Sequence, residues 1–465
     1  MTFQVSNHFL KIRGSEVVGA DNQPVILRGT SLGGWMNMEN FITGYPANEQ
    51  AQRQAILQVL GETKSEFFFD RFLEYFFTED DARFLQSLGL NLLRLPVNYR
   101  HFEDDMNPFE IKEPGFKHLD RVIDLCAKHG IYTIIDLHAL PGCQNMSWHS
   151  DNATHVGMFW QHKHFQDRTV HLWQVIAARY KDNPWVAGYN PMNEPWDPTE
   201  RKIEPIYRRL VDAIRAIDPH HLIFLEGNRY SKDFHMFGDP LPGVVYSNHD
   251  YAVPGHMDGG SYPGYTAGKY YDSEVLEETF LSLSKYMLEH NVPIWVGEFG
   301  PVYTGNAEAD TMRYHILQDQ LEIYKHHQVH WAIWLYKDIG LHGLTYLAPD
   351  SSWLRRIKSL VEKKARLGAD LWGGQDTHIR HLIEPLEKTF AVEFPNYNPG
   401  PYGGSQNRIK RLVRNILFAE ALLPEFAELF RGMSETAIDE MMQSFLFKNC
   451  LIRQPLAQIL AAYAC

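Results

Sequence analysis

Short apolar runs alternate with longer amphipathic stretches along most of the chain. The amphipathic stretches repeat apolar residues at helical spacing and predict helices, whereas the apolar runs are short and predict strands. Strands that are apolar on both faces and separated by helices are typical of a parallel sheet covered by helices. The predicted strands are Ile26–Leu32, Leu90–Pro96, Tyr132–Leu137, Val186–Asn190, Leu222–Leu225, Val244–Ser247, Ile294–Val296 and Trp331–Leu335, and the predicted helices are Glu79–Leu88, Gly115–His129, Thr169–Tyr180, Lys202–Ile217, Asp272–His290 and Asp310–His327.

The number of strand–helix units decides between two α/β architectures. Eight units favour a closed (β/α)8 TIM barrel, and the alternative is an open doubly wound sheet. The open sheet usually carries a GxGxxG phosphate loop after its first strand, and Gly29-Thr30-Ser31-Leu32-Gly33-Gly34 does not match it. Before the barrel, Phe9–Leu27 predicts an N-terminal β-hairpin that turns at Asp21-Asn22-Gln23-Pro24.

The C-terminal part of the chain has a different pattern. A helix at Ser352–Leu367 closes the eighth unit, which predicts a barrel domain over residues 1–367 and an α-helical extension over residues 368–465. We expect the extension to pack on the outer barrel helices, to cap a site or to form a homo-oligomer through its helices. It contains a Pro/Gly-rich linker at 394–404 and helices at Gln406–Leu423, Pro424–Arg431, Glu435–Phe447 and Gln454–Tyr463.

Composition and charge narrow the class of protein. The chain is 44% hydrophobic and 22% charged, as in an ordinary globular protein, and its formal net charge of −13 argues against nucleic acid as a partner. Four cysteines without CxxC spacing argue against a zinc knuckle and for a reducing compartment. No long apolar run predicts a membrane span. The first residues show no secretory signal, so we expect a cytoplasmic protein, or a secreted one if a signal was removed.

Candidate chemistry concentrates where the predicted strands end. Reactive residues of a (β/α)8 barrel lie at the C-terminal ends of its strands. Any one of them has a structural explanation, since a single Glu usually pairs with Arg or caps a helix. Their combination is what predicts a site. The polar and aromatic residues at these ends are Arg94, His138, Asn193, Glu194, His249, Tyr251, Glu298 and Trp334.

Two of these residues, Glu194 and Glu298, follow strands that face each other across a barrel. Glycoside cleavage with retention needs one protonated and one ionised carboxyl about 5 Å apart. We therefore predict Glu194 as the general acid/base and Glu298 as the nucleophile. Burial and the nearby charge of Glu298 are expected to keep Glu194 protonated, while Arg94 and Tyr251 keep Glu298 ionised. Asn193 is placed to bind the 2-hydroxyl of the sugar.

In these stretches the sequence resembles glycoside hydrolase family 5, a cellulase-like family of retaining β-glycosidases. The resemblance implies double displacement through a covalent glycosyl–Glu298 intermediate. It also implies substrate-binding roles for Arg94, His138, Asn193, His249, Tyr251 and Trp334, with Trp334 as the floor of the −1 sugar subsite. The matched stretches are Arg28–Trp35, Leu93–Val97, Ile135–His138, Asn193–Pro195, His249–Tyr251 and Gly297–Gly300.

The loops after the first and third strands bear on the substrate. Leu140–Asn145 is similar to a Pro-Gly-Ser-Gln-Asn loop of fungal exo-β-1,3-glucanases, with Cys143 in place of Ser. The insertions Trp35–Phe77 and Gly142–Gln166 are rich in aromatic residues and His, and as long loops they would turn a cleft into a pocket. Trp35 and Trp148 are further candidates for contact with sugar.

The predicted function is therefore exo-acting hydrolysis of β-glucosides or short β-glucans. Alternatives are an endo-β-glucanase or β-mannosidase, and a transglycosylase of the same fold. We expect no cofactor and no metal, because the His residues of the second insertion lack HExxH spacing and the two-carboxyl chemistry needs no ion. A catalytically silent barrel would lack one carboxyl, and both are present.

Overall fold

A closed barrel of parallel strands forms the centre of the protein. The computed structural model describes residues 9–251, 261–266, 268–369, 376–397 and 404–464. Each barrel strand pairs with its neighbours along the chain, and the last pairs with the first. The predicted closed (β/α)8 barrel is confirmed, and the open sheet is wrong. The strands are β1 (Arg28–Ser31), β2 (Leu92–Asn98), β3 (Tyr132–Ala139), β4 (Val186–Asn190), β5 (Leu222–Glu226), β6 (Val244–His249), β7 (Ile294–Glu298) and β8 (His330–Ile333).

Helices surround this barrel in seven of its eight units. Capping residues fix where two of these helices begin. Thr78 and Asp81 form a capping box, and the Asn306 side chain accepts from the backbone N–H groups of Glu308 and Ala309. The fifth unit instead makes a tight turn at Asn228–Ser231 with left-handed residues. The outer helices are Glu79–Ser87, Lys117–Lys128, Lys163–Tyr180, Ile203–Arg215, Ser273–Leu283 with Lys285–His290, Ala307–His326 and Ser352–Leu367.

The N-terminal hairpin closes the end of the barrel away from the predicted site. Lys11–Arg13 pairs with Glu16–Val18 across a turn at Gly14 that was not predicted. Gly14 has φ 62°, which glycine adopts without steric cost. The predicted turn at Asp21-Asn22-Gln23-Pro24 is confirmed as a second turn, across which Val18 and Pro24 form an antiparallel bridge before the chain enters β1. Leu10 and Val17 pack in one cluster with interior barrel residues such as Phe224 and Trp295.

The insertion after β1 is mostly helical, whereas its sequence predicts a long loop. It forms Asn40–Thr43, Glu49–Leu60 and Glu62–Phe76. These helices pack against one another and against the C-terminal extension, so the insertion has no core of its own. Small two-stranded sheets at Glu103–Asp104 with Asn107–Ile111 and at Gly264–Thr266 with Lys269–Tyr271, and 3-10 turns at Tyr99–His101, Glu113–Phe116 and Trp148–Ser150, complete the loops.

The C-terminal extension is helical as predicted, but its boundaries differ. The helix Arg380–Glu393 was not predicted, and the break predicted at Pro424 is wrong because this proline lies inside a helix. Burial of Leu422 and Phe426 there outweighs the lost backbone hydrogen bond. Residues 398–403 of the predicted linker lie outside the described part. The remaining elements are Gly404–Arg411, a π-helical stretch Leu412–Leu417, Phe418–Glu428, Glu435–Met442, 3-10 turns at Gln443–Phe445 and Phe447–Asn449, and Gln454–Tyr463.

The extension packs on both the insertion and the barrel. Phe418–Glu428 contacts Glu49–Leu60, and Glu435–Met442 contacts Glu62–Phe76. Its strand Cys450–Ile452 pairs with Thr345–Leu347, which in turn pairs with Lys337–Asp338 just after β8. Gln454–Tyr463 packs on the outer barrel helix Ala307–His326. A single apolar core therefore runs from the barrel through the insertion into the extension.

Candidate active site

Arg94, on β2, lies at the centre of the predicted site. Its fully buried guanidinium donates to Glu298, to Asn193 Oδ1 at 2.6 Å and pairs with Asp136 at 3.0 Å. A planar guanidinium offers five N–H donors in fixed directions. Arg94 can therefore hold the side chains of three strand ends in one geometry, including the predicted nucleophile.

Glu298 ends β7 beside His249 of β6. A β-bulge between Asn248 and His249 places His249 directly opposite Glu298 in the sheet register. His249 Nδ1 lies 3.7 Å from Glu298 Oε2, and Tyr251 donates its hydroxyl to the same oxygen at 3.2 Å. The predicted partners of Glu298 thus come together, each from the C-terminal end of a strand.

Glu194 follows β4 in a left-handed conformation with φ 45°. Such a backbone is unusual for a residue with a side chain and needs support from its surroundings. Its N–H donates to Glu226 Oε2 at 2.7 Å, and its carbonyl accepts from Asn145 Nδ2 at 2.9 Å. The side chain contacts His249 Nδ1 at 2.8 Å and His149 Nε2 at 3.2 Å. Glu226 and Asn145 therefore fix how Glu194 points into the site.

The separation of the two carboxyls distinguishes two stereochemical outcomes. One carboxylate oxygen of Glu194, one of Glu298 and a ring nitrogen of His249 all lie within 4.8 Å of one another. Retaining glycosidases have carboxyls about 5–5.5 Å apart, whereas inverting enzymes leave about 6.5–9.5 Å for a water molecule. The geometry fits a retaining pair.

Protonation in this arrangement differs from the sequence-based prediction. Burial alone would raise the pKa of Glu194, but the hydrogen bond from His249 and the adjacent ring of His149 bring it to about 2. Burial and the Glu194 charge raise the pKa of Glu298 despite His249 and Arg94. In this substrate-free arrangement the His249 hydrogen bond favours the charge on Glu194, and the prediction that Glu194 carries the proton during catalysis stays a prediction. The sequence could not show that the His249 ring would lie nearer to Glu194.

His249 itself is held as a cation. Burial lowers its pKa, but the charges of Glu226 and Glu298 and the hydrogen bond to Glu194 overcome this and raise it to about 10. Its Nε2 lies 3.4 Å from Glu226 Oε2. One imidazolium thus neutralises part of a buried cluster of carboxylates.

His138 and Trp334 form another wall of the site. Their rings stack at 5.5 Å with an interplanar angle of 10°. Asp136 accepts at 2.7 Å from His138 Nδ1, and burial brings the pKa of His138 to about 3, so the ring is neutral. A Cβ on Gly33 would lie 2.6 Å from the Trp334 ring, so only glycine fits there. Asp136 therefore orients the His138 ring.

Sequence reasoning missed two polar residues of the site. Glu39, in the segment after β1, is buried with its Oε1 3.8 Å from His138 Nε2, and its pKa is raised well above the usual range by burial and by Glu298. His149 contacts Glu194, and burial brings its pKa to about 3. Glu39 is the only carboxylate between Gly29 and Asn48, and this isolation within an apolar stretch was a usable signal.

Trp35 and Trp148, the two further candidates for contact with sugar, lie in different surroundings. Trp35 has no exposed surface and donates its Nε1 to the carbonyl of Leu73, so the prediction that it contacts sugar is wrong. The helices of the insertion cover it, and it belongs to the core. Trp148 is half-buried and directly precedes His149, so it lies on the Glu194 side of the site. Its contact with substrate stays a prediction.

Some groups of side chains have metal-ligand geometry within the described residues. Two lie at the surface, Glu277 with His326 and His327, and Glu200 with Asp233 and His235. In the second of these, Arg229 already pairs with Glu200 and Asp233. The third is the group formed by Glu194, His249 and Glu298. The His residues of Gly142–Gln166 contribute to none of these groups.

Comparisons with known proteins give a consistent result. A family model described as cellulase (glycosyl hydrolase family 5) matches residues 61–340. A β-xylosidase of Phanerodontia chrysosporium is 48% identical over 470 residues, which is 97% of both chains. A probable glucan 1,3-β-glucosidase A of Aspergillus fumigatus is 27% identical over 238 residues, 49% of this chain and 56% of that protein. An endogalactoceramidase crystal structure matches with a TM-score of 0.52 at 18% identity, covering 71% of this chain and 75% of that one, and shows likeness of fold alone.

Proposed function

The chain belongs to glycosyl hydrolase family 5 and is a glycoside hydrolase, and from this premise we propose that it is a retaining, exo-acting β-xylosidase. The spacing of Glu194 and Glu298, with carboxylate oxygens within 4.8 Å, is the observation that carries the retaining mechanism. The sugar is proposed from the β-xylosidase of Phanerodontia chrysosporium, which aligns over 97% of both chains. A β-glucoside is the second candidate, from the probable glucan 1,3-β-glucosidase.

The proposed reaction has two displacements. Glu298 attacks the anomeric carbon while Glu194 gives its proton to the departing glycosidic oxygen, which forms a glycosyl ester on Glu298 and releases the aglycone. Glu194 then removes a proton from water, and the water oxygen replaces Glu298 at the anomeric carbon. The hydroxyl of Tyr251 and the guanidinium of Arg94 both contact Glu298, so they hold its attacking oxygen in place.

The first displacement requires that the proton shared by the two carboxyls, Glu194 and Glu298, resides on Glu194. Positive charge that develops at the anomeric carbon favours the ionised form of Glu298. His249 Nδ1 lies 2.8 Å from Glu194 and 3.7 Å from Glu298, so a small movement of its N–H towards Glu298 frees Glu194 to hold the proton. The two carboxyls titrate as a pair with His249 between them.

Aryl β-glycosides with xylose, glucose, galactose and mannose test this proposal. We expect the aryl β-xyloside to be cleaved with the highest kcat/KM and with retained configuration by NMR. Glu298→Ala should lose this activity and regain part of it with azide, as the α-glycosyl azide. Glu194→Ala should lose about 10²–10⁴-fold on poor leaving groups and much less on activated ones.

The surface variant Glu289→Ala is the matched control, because Glu289 is exposed on the helix Lys285–His290. It should retain wild-type kinetics. An inverted product from the wild type, or equal losses on good and poor leaving groups in Glu194→Ala, would contradict the assigned roles. Preference for the β-glucoside would replace the proposed sugar and leave the mechanism intact. A homo-oligomer through the C-terminal helices, a transglycosylase activity and a cytoplasmic location stay predictions.

A further inference from the structure

A cavity of about 490 Å³ lies between the catalytic-face loops and the C-terminal extension. This volume is in the range of sites for small molecules. The loop after β3 contributes Asn145 and Met146, and the loop after β4 contributes Trp196. The extension contributes Tyr397, Asn407, Arg408 and Arg411. The extension therefore supplies one wall of a cavity that the barrel alone would leave open.

This cavity lies on the acid/base side of the site. Trp196 follows Glu194 by two residues, and its backbone N–H donates to the carbonyl of Gln144 at 3.0 Å. Asn145, in the cavity wall, holds the carbonyl of Glu194 and contacts His149. A general acid protonates the glycosidic oxygen, so the leaving group lies next to it. The aglycone, and not the sugar attacked by Glu298, would therefore extend towards this cavity.

Two arginines give the cavity a positive charge. Arg408 donates to the His155 carbonyl at 3.0 Å, and Arg411 donates to the Met146 carbonyl at 3.3 Å. These backbone bonds use few of the five N–H donors that each guanidinium carries. Among the described residues, no carboxylate forms a salt bridge with Arg408 or Arg411, in a chain of net charge −13. Burial and the charges of both arginines bring the pKa of the buried His155 ring to about 4.

The carboxylates of the cavity wall already have partners. Asp197 accepts from the Thr199 hydroxyl at 2.7 Å and from the backbone N–H of Lys202 at 2.6 Å. Glu200 pairs with Arg229. A carboxylate from outside the chain would therefore meet two guanidinium groups without competition from these side chains.

We propose that this cavity is a leaving-group subsite for an aglycone that carries a carboxylate, bound by Arg408 and Arg411 against the apolar wall of Trp196. The carboxylate can belong to an acidic sugar or to an aromatic acid. The inference rests on the proposed function, because it assigns the cavity to the group that departs when Glu194 acts as acid.

A matched pair of substrates tests it. The 4-carboxyphenyl and 4-carbamoylphenyl β-xylosides differ in charge and release similar phenols. We expect wild type to favour the carboxylate in kcat/KM at low ionic strength, and the preference to fall as salt increases. Arg408→Gln and Arg411→Gln should each reduce the ratio of the two kcat/KM values about tenfold. Arg356→Gln is the control, since Arg356 also donates to a backbone carbonyl, that of Leu429, away from the cavity.

The outcomes separate this inference from the proposed function. Cleavage of the neutral substrate reports the β-xylosidase activity, and the charge ratio reports the subsite. If neither substrate is cleaved, calorimetric titration with the corresponding thioglycosides measures the same ratio as binding. A wild-type ratio near one, or a ratio that Arg408→Gln and Arg411→Gln leave unchanged, overturns the subsite.

Discussion

At the scale of single residues, the protonation of His249 links the site to folding stability. Its pKa of about 10 in the folded protein lies above the value of about 6.5 of an unperturbed His. The folded state therefore binds this proton more tightly, and the stabilisation is full below about pH 6.5 and is lost as the pH rises towards 10.

We predict that His249→Asn removes this dependence. The free energy of unfolding of wild type, measured in urea, should fall relative to that of His249→Asn between pH 6.5 and pH 9.5. The reason is that the wild type alone gives up a bound proton on unfolding in this range. A difference between the two proteins that is constant with pH would show that His249 is neutral in the fold.

Glu39 is a second residue whose stability effect has a definite sign. Burial, together with Glu298, raises its pKa, so it is neutral when folded and ionises on unfolding above about pH 4.5. We predict that Glu39→Gln gains stability relative to wild type as the pH rises from 4 to 7. Parallel urea unfolding series at these pH values check this, with the exposed Glu393→Gln as control. Parallel curves for wild type and Glu39→Gln would indicate an ionised Glu39.

At the scale of elements, the loop after β3 positions the turn after β4. Asn145 of this loop donates to the carbonyl of Glu194, whose backbone is left-handed. We predict that Asn145→Ala lowers kcat/KM about tenfold and costs about 1 kcal/mol of stability. The loss should come mainly from kcat, because the catalytic carboxyl is misplaced while the sugar subsite is intact.

Asn449→Ala is the control for this prediction. Asn449 is exposed in the C-terminal extension and donates to the carbonyl of Gln443 at 2.7 Å. Its replacement by Ala therefore removes the same kind of hydrogen bond away from the site. Its kcat/KM should equal that of wild type. If Asn145→Ala changes stability and leaves kcat unchanged, Asn145 has only a structural role.

At the scale of the whole molecule, Lys337 joins three parts of the chain. Its buried Nζ donates to the carbonyl of Phe76 at 2.8 Å in the insertion, to Asp81 at 2.7 Å, and to the carbonyl of Phe445 at 2.8 Å in the extension. Breaking a buried ion pair by removing one partner leaves the other charge without compensation. Lys337 therefore ties the extension to the barrel through polar as well as apolar contacts.

We predict that Lys337→Met destabilises the protein by about 3–5 kcal/mol. Unfolding in urea, followed by circular dichroism, measures this loss. The loss should be smaller when Asp81→Asn is already present, since no unpaired carboxylate then remains. Lys163→Met breaks an exposed pair with Asp167 and should cost less than about 1 kcal/mol. Equal costs for Lys337→Met and Lys163→Met would exclude the ion pair as a link between the parts.

The sequence by itself determined the barrel and which two carboxyls come together at one end of it. Strand positions follow from short apolar runs between amphipathic helices, and the parallel order of β1 to β8 then places Glu194 and Glu298 at the same end of the barrel. Such patterns depend on residues that are close together in the chain, so they can be predicted from the sequence.

Only the tertiary structure decided what depends on distant segments coming together. Trp35 is buried because helices of the insertion cover it, and the pKa of Glu39 is raised because this residue is buried beside Glu298. The position of the proton between Glu194 and Glu298 depended on one imidazole ring. The cavity between the extension and Trp196 joins parts of the chain far apart in sequence. Burial and electrostatic energies are sums over neighbours in space, and the order of residues along the chain does not contain those neighbours.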